Sequence, residues 1–216
     1  MATNKSKEDW ALQAEKLRKA IPEIGDIGDE SLRAKVEQVW LLAWDGSDFD
    51  VDEAPNFPSR GYPAPGHSHP EMIRYTLVDH TRLVVLLARD IAQRLEEVYS
   101  IKVNRDELLA AAIIHDVDKM VDRTRQGEQI VTSETGKRIP HGVLSAKWAM
   151  EAGLPLDVVH AVISHSGRSS MFPRTLEALL VLYADLIAAD TLRMKHGAKG
   201  ILETYKHFGP QHSTHP

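Results

Sequence analysis

The chain has 216 residues, 43% hydrophobic and 26% charged, the profile of a soluble globular protein long enough for one domain to bury a substantial core. A formal net charge of -5 argues against the broad basic surface that polymeric nucleic acid requires, and the lack of cysteine excludes disulfides and thiolate zinc sites. No apolar run approaches the ~20 residues of a bilayer span, and MATNKSKED at the start lacks the apolar core of a secretory signal, so a cytoplasmic protein without a membrane partner is expected.

The pattern is that of an all-α protein. Residues 8–20 read as a polar amphipathic helix stopped at Ile21-Pro22, and a second helix carries Leu32, Val36, Val39, Trp40 and Ala43 on one face. Residues 45–70, with Pro55, Pro58, Pro63, Pro65 and Pro70, form a long non-helical connection: either a binding element or a strap over the core. Trp40 and Trp44 ahead of it are either core anchors or a stacking surface for a planar group. From Pro70 to about Tyr99 one long or two consecutive helices are expected, with Leu83, Leu87, Ile91 and Leu95 in register and His80 on or beside that stripe.

Asn104 and Glu107 resemble a capping box that opens the next helix, LLAAAIIHDVDK. Residues 129–139 read as the one hairpin-like segment, turning around Glu-Thr-Gly. Helices then run from near His141 to Ala152 with Gly153 as a left-handed cap, from Pro155 to His165, and from Thr175 to about Lys195. The last is apolar nearly all round between Leu179 and Ala189, which predicts the central buried helix. Residues 1–70 are expected to be an N-terminal helical extension and loop packed on a bundle of residues 71–208, with a disordered tail at 209–216.

The chemistry concentrates at His115 and Asp116, which close an apolar run. A histidine and a carboxylate entering a core need partners, and a metal ion is the simplest one. Adjacent helical residues point about 100° apart, so the pair serves one site only near a helix end, which the Val117-Asp118-Lys119 continuation makes plausible. His80, His141, His165 and Asp185 are the further candidates, giving six donors able to hold two ions; among the 11 histidines, His160 is the rival to His165. A carboxylate has two oxygens, so Asp116 is the natural bridge. Histidine and carboxylate donors suit a catalytic rather than a structural site.

In this order the six residues resemble the HD superfamily of metal-dependent phosphohydrolases, an all-helical bundle fold. The resemblance covers about residues 76–195 through HTRLVVLLA, LLAAAIIHDVDK, IPHGVLSAKWAMEAG, VVHAVISHSGR and LLVLYADLIA. Its HG, HSGR and YAD elements are most similar to the symmetrical bis(5'-nucleosyl)-tetraphosphatase branch. The resemblance implies one ion on His80, His115, Asp116 and Asp185, and a second on His141 and His165 with Asp116 shared. It implies two divalent ions, iron or manganese, with zinc, magnesium, nickel or cobalt as alternatives. The implied substrate is a small phosphoester or nucleotide, met by Lys119 and Arg168 as phosphate donors, with Asp116, Lys119 and Arg168 the catalytic set; homodimerisation is left open.

Asp118 stands where an apolar or small residue is usual, and a carboxylate there repels a polyphosphate unless it binds a cation or points away. Two rivals share the pattern: a mixed-valent di-iron oxygenase of the same superfamily, and a non-enzymatic ligand sensor. Phosphate donors at Lys119 and Arg168 favour hydrolysis, and six retained donors argue against a sensor.

Overall fold

The computed structural model describes residues 5–55, 75–127, 129–166, 171–197 and 199–201. Arg168, Pro70, most of the 45–70 connection and the 209–216 tail lie outside the described residues. The architecture is helical: α1 (Lys7–Ala20), a 3₁₀ helix (Pro22–Asp26), α2 (Glu30–Asp45), α3 (Leu77–Tyr99), α4 (Arg105–Ile114), α5 (Lys119–Asp122), α6 (Glu134–Arg138), α7 (Val143–Glu151), α8 (Leu156–Ser164) and α9 (Leu176–Lys195), with one antiparallel hairpin, β1 (Arg123–Gln126) and β2 (Gln129–Thr132). Among the described residues no helix is long and apolar enough to cross a membrane.

Short polar residues open most of these helices. Ser6 with Asp9, and Thr76 with Asp79, close full capping boxes on α1 and α3, while Asp29, Ser133 and Thr175 cap α2, α6 and α9 through their side chains. The Thr76 box places the start of α3 at Leu77; the helix start expected at Pro70 lies outside the described residues. Asn104 caps α4 by accepting from Glu107 N, but the reciprocal half of the expected box is replaced: Asn104 N donates to Glu177 Oε1 of α9 at 2.7 Å. That bond ties the chain just past α3 to the first turn of α9, so the two helices run antiparallel.

The centre of the fold is α4, every residue of which from Leu108 to Ile114 is buried. Three consecutive alanines in that stretch let α3, α8, α9 and α2 approach it closely. The expectation that α9 is the central helix is corrected: Leu176, Leu179, Tyr183 and Ile187 lie on an exposed face, and α9 buries Ala178, Leu180, Val181, Ala184, Leu186 and Ala188. Apolar residues on two faces did not distinguish a core helix from a peripheral one. In α3 the core stripe is likewise turned from the expected one: Val84, Val85, Ala88 and Ala92 are buried together with His80, whereas Leu83 is exposed and Leu87, Ile91 and Leu95 are half-buried.

The hairpin is shifted from 129–139 to 123–132. Gly127 (φ 62°) takes the left-handed conformation in the turn, and Ser133 ends β2 by accepting Gly136 N into its hydroxyl, which starts α6 where the sequence suggested a second strand. Gly136 has no room for a side chain, since an added Cβ would lie 2.5 Å from Asp122 O.

The N-terminal helices belong to the same core. Leu17, Val36, Val39, Trp40 and Ala43 pack into one apolar cluster with residues of α3, α4, α7, α8 and α9. The strap reading holds for residues 46–55: Phe49, Val51 and Ala54 are buried, Gln13 of α1 bonds both Asp50 Oδ1 and Val51 N, and Pro55 pairs with Thr76 as an isolated antiparallel bridge. Trp40 is fully buried and Trp44 nearly so, edge-on to Trp10, which overturns the idea of a stacking surface for a ligand.

Candidate metal centre

The site begins where α4 ends. After Ile114 the chain leaves the helix, and residues 115–118 form a turn that directs two successive side chains inward. A helix end in the core exposes carbonyls that need donors. His115 Nδ1 lies 2.7 Å from Ala112 O, Trp40 Nε1 donates to Ile113 O at 3.0 Å, and Val117 N donates to Ile114 O at 3.3 Å. The turn bearing His115 and Asp116 is therefore held in part by a tryptophan from α2.

Around it the structure brings all six predicted donors together. His80 Nε2 is 3.1 Å from Asp116 Oδ2, 3.1 Å from Asp185 Oδ1 and 3.3 Å from His115 Nε2. On the other side of the same carboxylate, Asp116 Oδ1 is 2.6 Å from His141 Nε2 and 3.4 Å from His165 Nε2, and those two nitrogens are 3.1 Å apart. Two donor groups result, His80, His115, Asp116 and Asp185, and Asp116, His141 and His165, each compact enough for a metal ion. Bonds of about 2.0–2.2 Å to a metal place neighbouring ligand atoms about 3–3.5 Å apart; most of these separations fall there, while His141 Nε2–Asp116 Oδ1 is shorter at 2.6 Å and His115 Nε2–Asp185 Oδ1 longer at 3.9 Å.

The donor chemistry also fits a cation. His115 Nδ1 faces Ala112 O and His165 Nδ1 faces Val162 O at 2.5 Å; a carbonyl only accepts, so both Nδ1 atoms donate and both Nε2 atoms face the centre. Asp116 Oδ1 is buried, and the polar atoms facing it are the Nε2 nitrogens of His141 and His165. Lone pairs and carboxylate charge crowded into a dry interior are unfavourable until a proton or a metal ion lies among them.

Protons answer that demand in the protein alone. Burial pushes the His141 ring down, but the charges of Asp118 and Asp116 outweigh it and leave its pKa well above the ordinary histidine value. His80 is raised, the carboxylates of Asp116 and Asp185 overcoming its burial, whereas burial dominates at His115 and lowers it. Burial acts to raise Asp185, yet the hydrogen bond with His80 brings it down to about 2. Asp116 is held well below the carboxylate range despite its burial, by Lys119 first and then by His115 and His141. Lys119, in α5, makes its contact directly on Asp116 Oδ2, the oxygen that belongs to the four-donor group.

His160 has a different task from the one its sequence position allowed. Its Nε2 accepts the backbone N–H of Arg174 at 2.8 Å and so fixes the approach to α9. Gly142 follows His141 because the backbone there adopts φ 85°, which favours glycine; an added Cβ would meet His165 Cε1 at 3.4 Å, an ordinary contact. Asp118, seen in the sequence only as an unwanted charge, points away from the shared centre, with Oδ1 3.0 Å from His141 Nδ1 and Oδ2 accepting Gly142 N at 2.5 Å. The HDVD spacing alone carried no signal for that role.

The model of the HD domain family matches residues 77–190, which contain all six donors, and the chain belongs to that family. Among curated relatives, the dihydroneopterin 2',3'-cyclic phosphate phosphodiesterase of Methanocaldococcus jannaschii is 34% identical over 110 residues, 50% of this chain and 44% of that protein. Ribonuclease Y of Chloroflexus aurantiacus is 35% identical over 78 residues, 36% of this chain and 12% of the relative, and that of Oleidesulfovibrio alaskensis is 28% identical over 146 residues, 63% and 24%. The chain thus spans less than half the length of these relatives, and they do not single out the tetraphosphatase branch. No solved structure matches.

Proposed function

We propose that the protein is a metal-dependent phosphohydrolase with a binuclear centre, acting on a small phosphoester or nucleotide. The observation that carries this reading is the division of Asp116, whose two oxygens each lie in a separate group of imidazole nitrogens. The first ion would be held by His80, His115, Asp116 and Asp185, the second by Asp116, His141 and His165. Two bound cations supply charge neutralisation for phosphoryl transfer and a water acidic enough to serve as nucleophile at neutral pH.

The remaining steps fall to the chain's own residues. Asp116 fixes the separation of the two donor groups. Lys119 brings a half-buried ammonium to the bridging carboxylate and is the residue proposed to meet a phosphoryl oxygen. Arg168, three residues past His165, is proposed from the sequence as a second phosphate donor. Asp118 does not repel the substrate, because its charge is taken up by His141 and Gly142.

The relatives are named for cleavage of phosphodiesters, one cyclic and one in RNA, which supports a phosphodiester as substrate. The net charge of -5 favours a small molecule over a polymer. The native metal is proposed to be iron or manganese, and the compartment the cytoplasm. The test is elemental analysis of protein purified without chelator or nickel resin, followed by anaerobic assays on 2',3'-cyclic nucleotides, linear phosphodiesters and dinucleoside polyphosphates. Two ions per chain and anaerobic release of a phosphate product are expected. Oxygen consumption with no anaerobic turnover would replace hydrolysis by the oxygenase chemistry.

A further inference from the structure

Three of the four clustered imidazoles face acceptors with their Nδ1 atoms, and one of those acceptors is different. His115 and His165 end helices α4 and α8, and each ring turns back on the carbonyl three residues earlier. His141 lies in a turn ahead of α7, where its Nδ1 has no hydrogen-bond partner of that kind. Instead it is 3.0 Å from Asp118 Oδ1, an atom equally without a partner elsewhere, so each is the other's polar neighbour.

Asp118 is only 1% exposed, and a carboxylate so deep is retained only where its charge is met. One short segment meets it twice, His141 at Oδ1 and Gly142 N at Oδ2 (2.5 Å), and Ser145 fixes the backbone beside it by accepting the Asp118 N–H in its Oγ at 2.9 Å. Asp116 and Asp118 come from the same turn, so a single stretch of chain holds both nitrogens of one ring, Asp116 at Nε2 and Asp118 at Nδ1. A carboxylate on the far nitrogen of a ligating histidine fixes its tautomer and orientation and strengthens it as a donor.

We propose that Asp118 is a positioning residue for the second cation: it clamps His141 with Nε2 directed at the three-donor group. This deepens the two-cation reading and rests on it. Asp118 does not touch the substrate or either ion.

The test uses the full chain, stripped of metal and titrated with Mn²⁺ by calorimetry, with ions per chain counted after dialysis. In Asp118→Asn and Asp118→Ala, affinity at one of two sites should fall about 10–100-fold, more in Ala than in Asn, while the other site keeps its wild-type value. Both variants retaining two unchanged affinities would overturn the proposal, as would two affinities that fall together with the melting temperature, the mark of a merely structural role. Wild-type protein that takes up a single ion would instead remove the two-cation reading itself. Should Asp118→Ala fail to fold, nitrogen NMR of wild-type protein loaded with Zn²⁺ decides: a slowly exchanging Nδ1 proton on His141 is expected, and an Nε2 proton on that ring refutes the clamp.

Discussion

The two donor groups that share Asp116 are built from different kinds of chain. His80 sits in the first turn of α3 and Asp185 within α9, and these antiparallel helices pack along each other, so that half of the centre is located by extensive apolar contact. His141 lies in a turn and His165 at the end of α8, and their half is located by individual polar contacts from Asp118, Gly142 and Val162. Packed helices resist local change because many contacts must shift at once; a turn held by a few hydrogen bonds does not. The four-donor half should therefore be the robust one and the three-donor half the adjustable one.

The largest effect is expected from the residue common to both. Asp116→Ala should lose both ions in elemental analysis and reduce turnover at least about 10³-fold; retention of one ion would show that one half stands without the bridge. Trp40→Phe comes next, since it strips the donor from the buried Ile113 carbonyl at the shared turn. Denaturant melts should show a loss of roughly 1–3 kcal/mol, with both metal affinities changing in parallel, and an effect confined to one site would break the symmetry assigned to that turn.

Gly142→Ala sharpens the contrast. A left-handed alanine costs roughly 1–2 kcal/mol and strains the turn next to His141, so affinity should fall at the three-donor site alone. The smallest effect is a dependence on pH. Below the ordinary histidine value of 6.5, protonated His141 contributes fully to the stability of the metal-free protein, and that contribution is lost as pH rises through its higher folded value. Metal binding displaces the same proton, so it strengthens over that range. The rise in melting temperature on adding Mn²⁺ should accordingly grow from pH 6 to pH 8.5; a constant rise would mean that no proton is exchanged.

The six donors were legible because ligand chemistry survives in one dimension: imidazoles and carboxylates interrupting apolar helices are costly unless they meet. The helices were legible for a similar reason, through caps such as Asn104 and the left-handed Gly153. What the sequence hid depended on direction. The face of α9 that turns outward is as apolar in letters as the one that turns in. Ser133 could have continued a strand, but its hydroxyl captured Gly136 N and began a helix. Asp118 could be understood only once the 115–118 turn had aimed it at His141 rather than at the ligand.

The reach of Trp40 across to Ile113 has a practical corollary for anyone who trims this protein. Similarity to the family begins at residue 77, yet the indole that donates beside the turn carrying His115 and Asp116 lies 37 positions upstream of that border. A fragment excised along the line of homology would carry every ligand and still leave a bare carbonyl behind the centre. A fragment that keeps the donor to that oxygen includes α2.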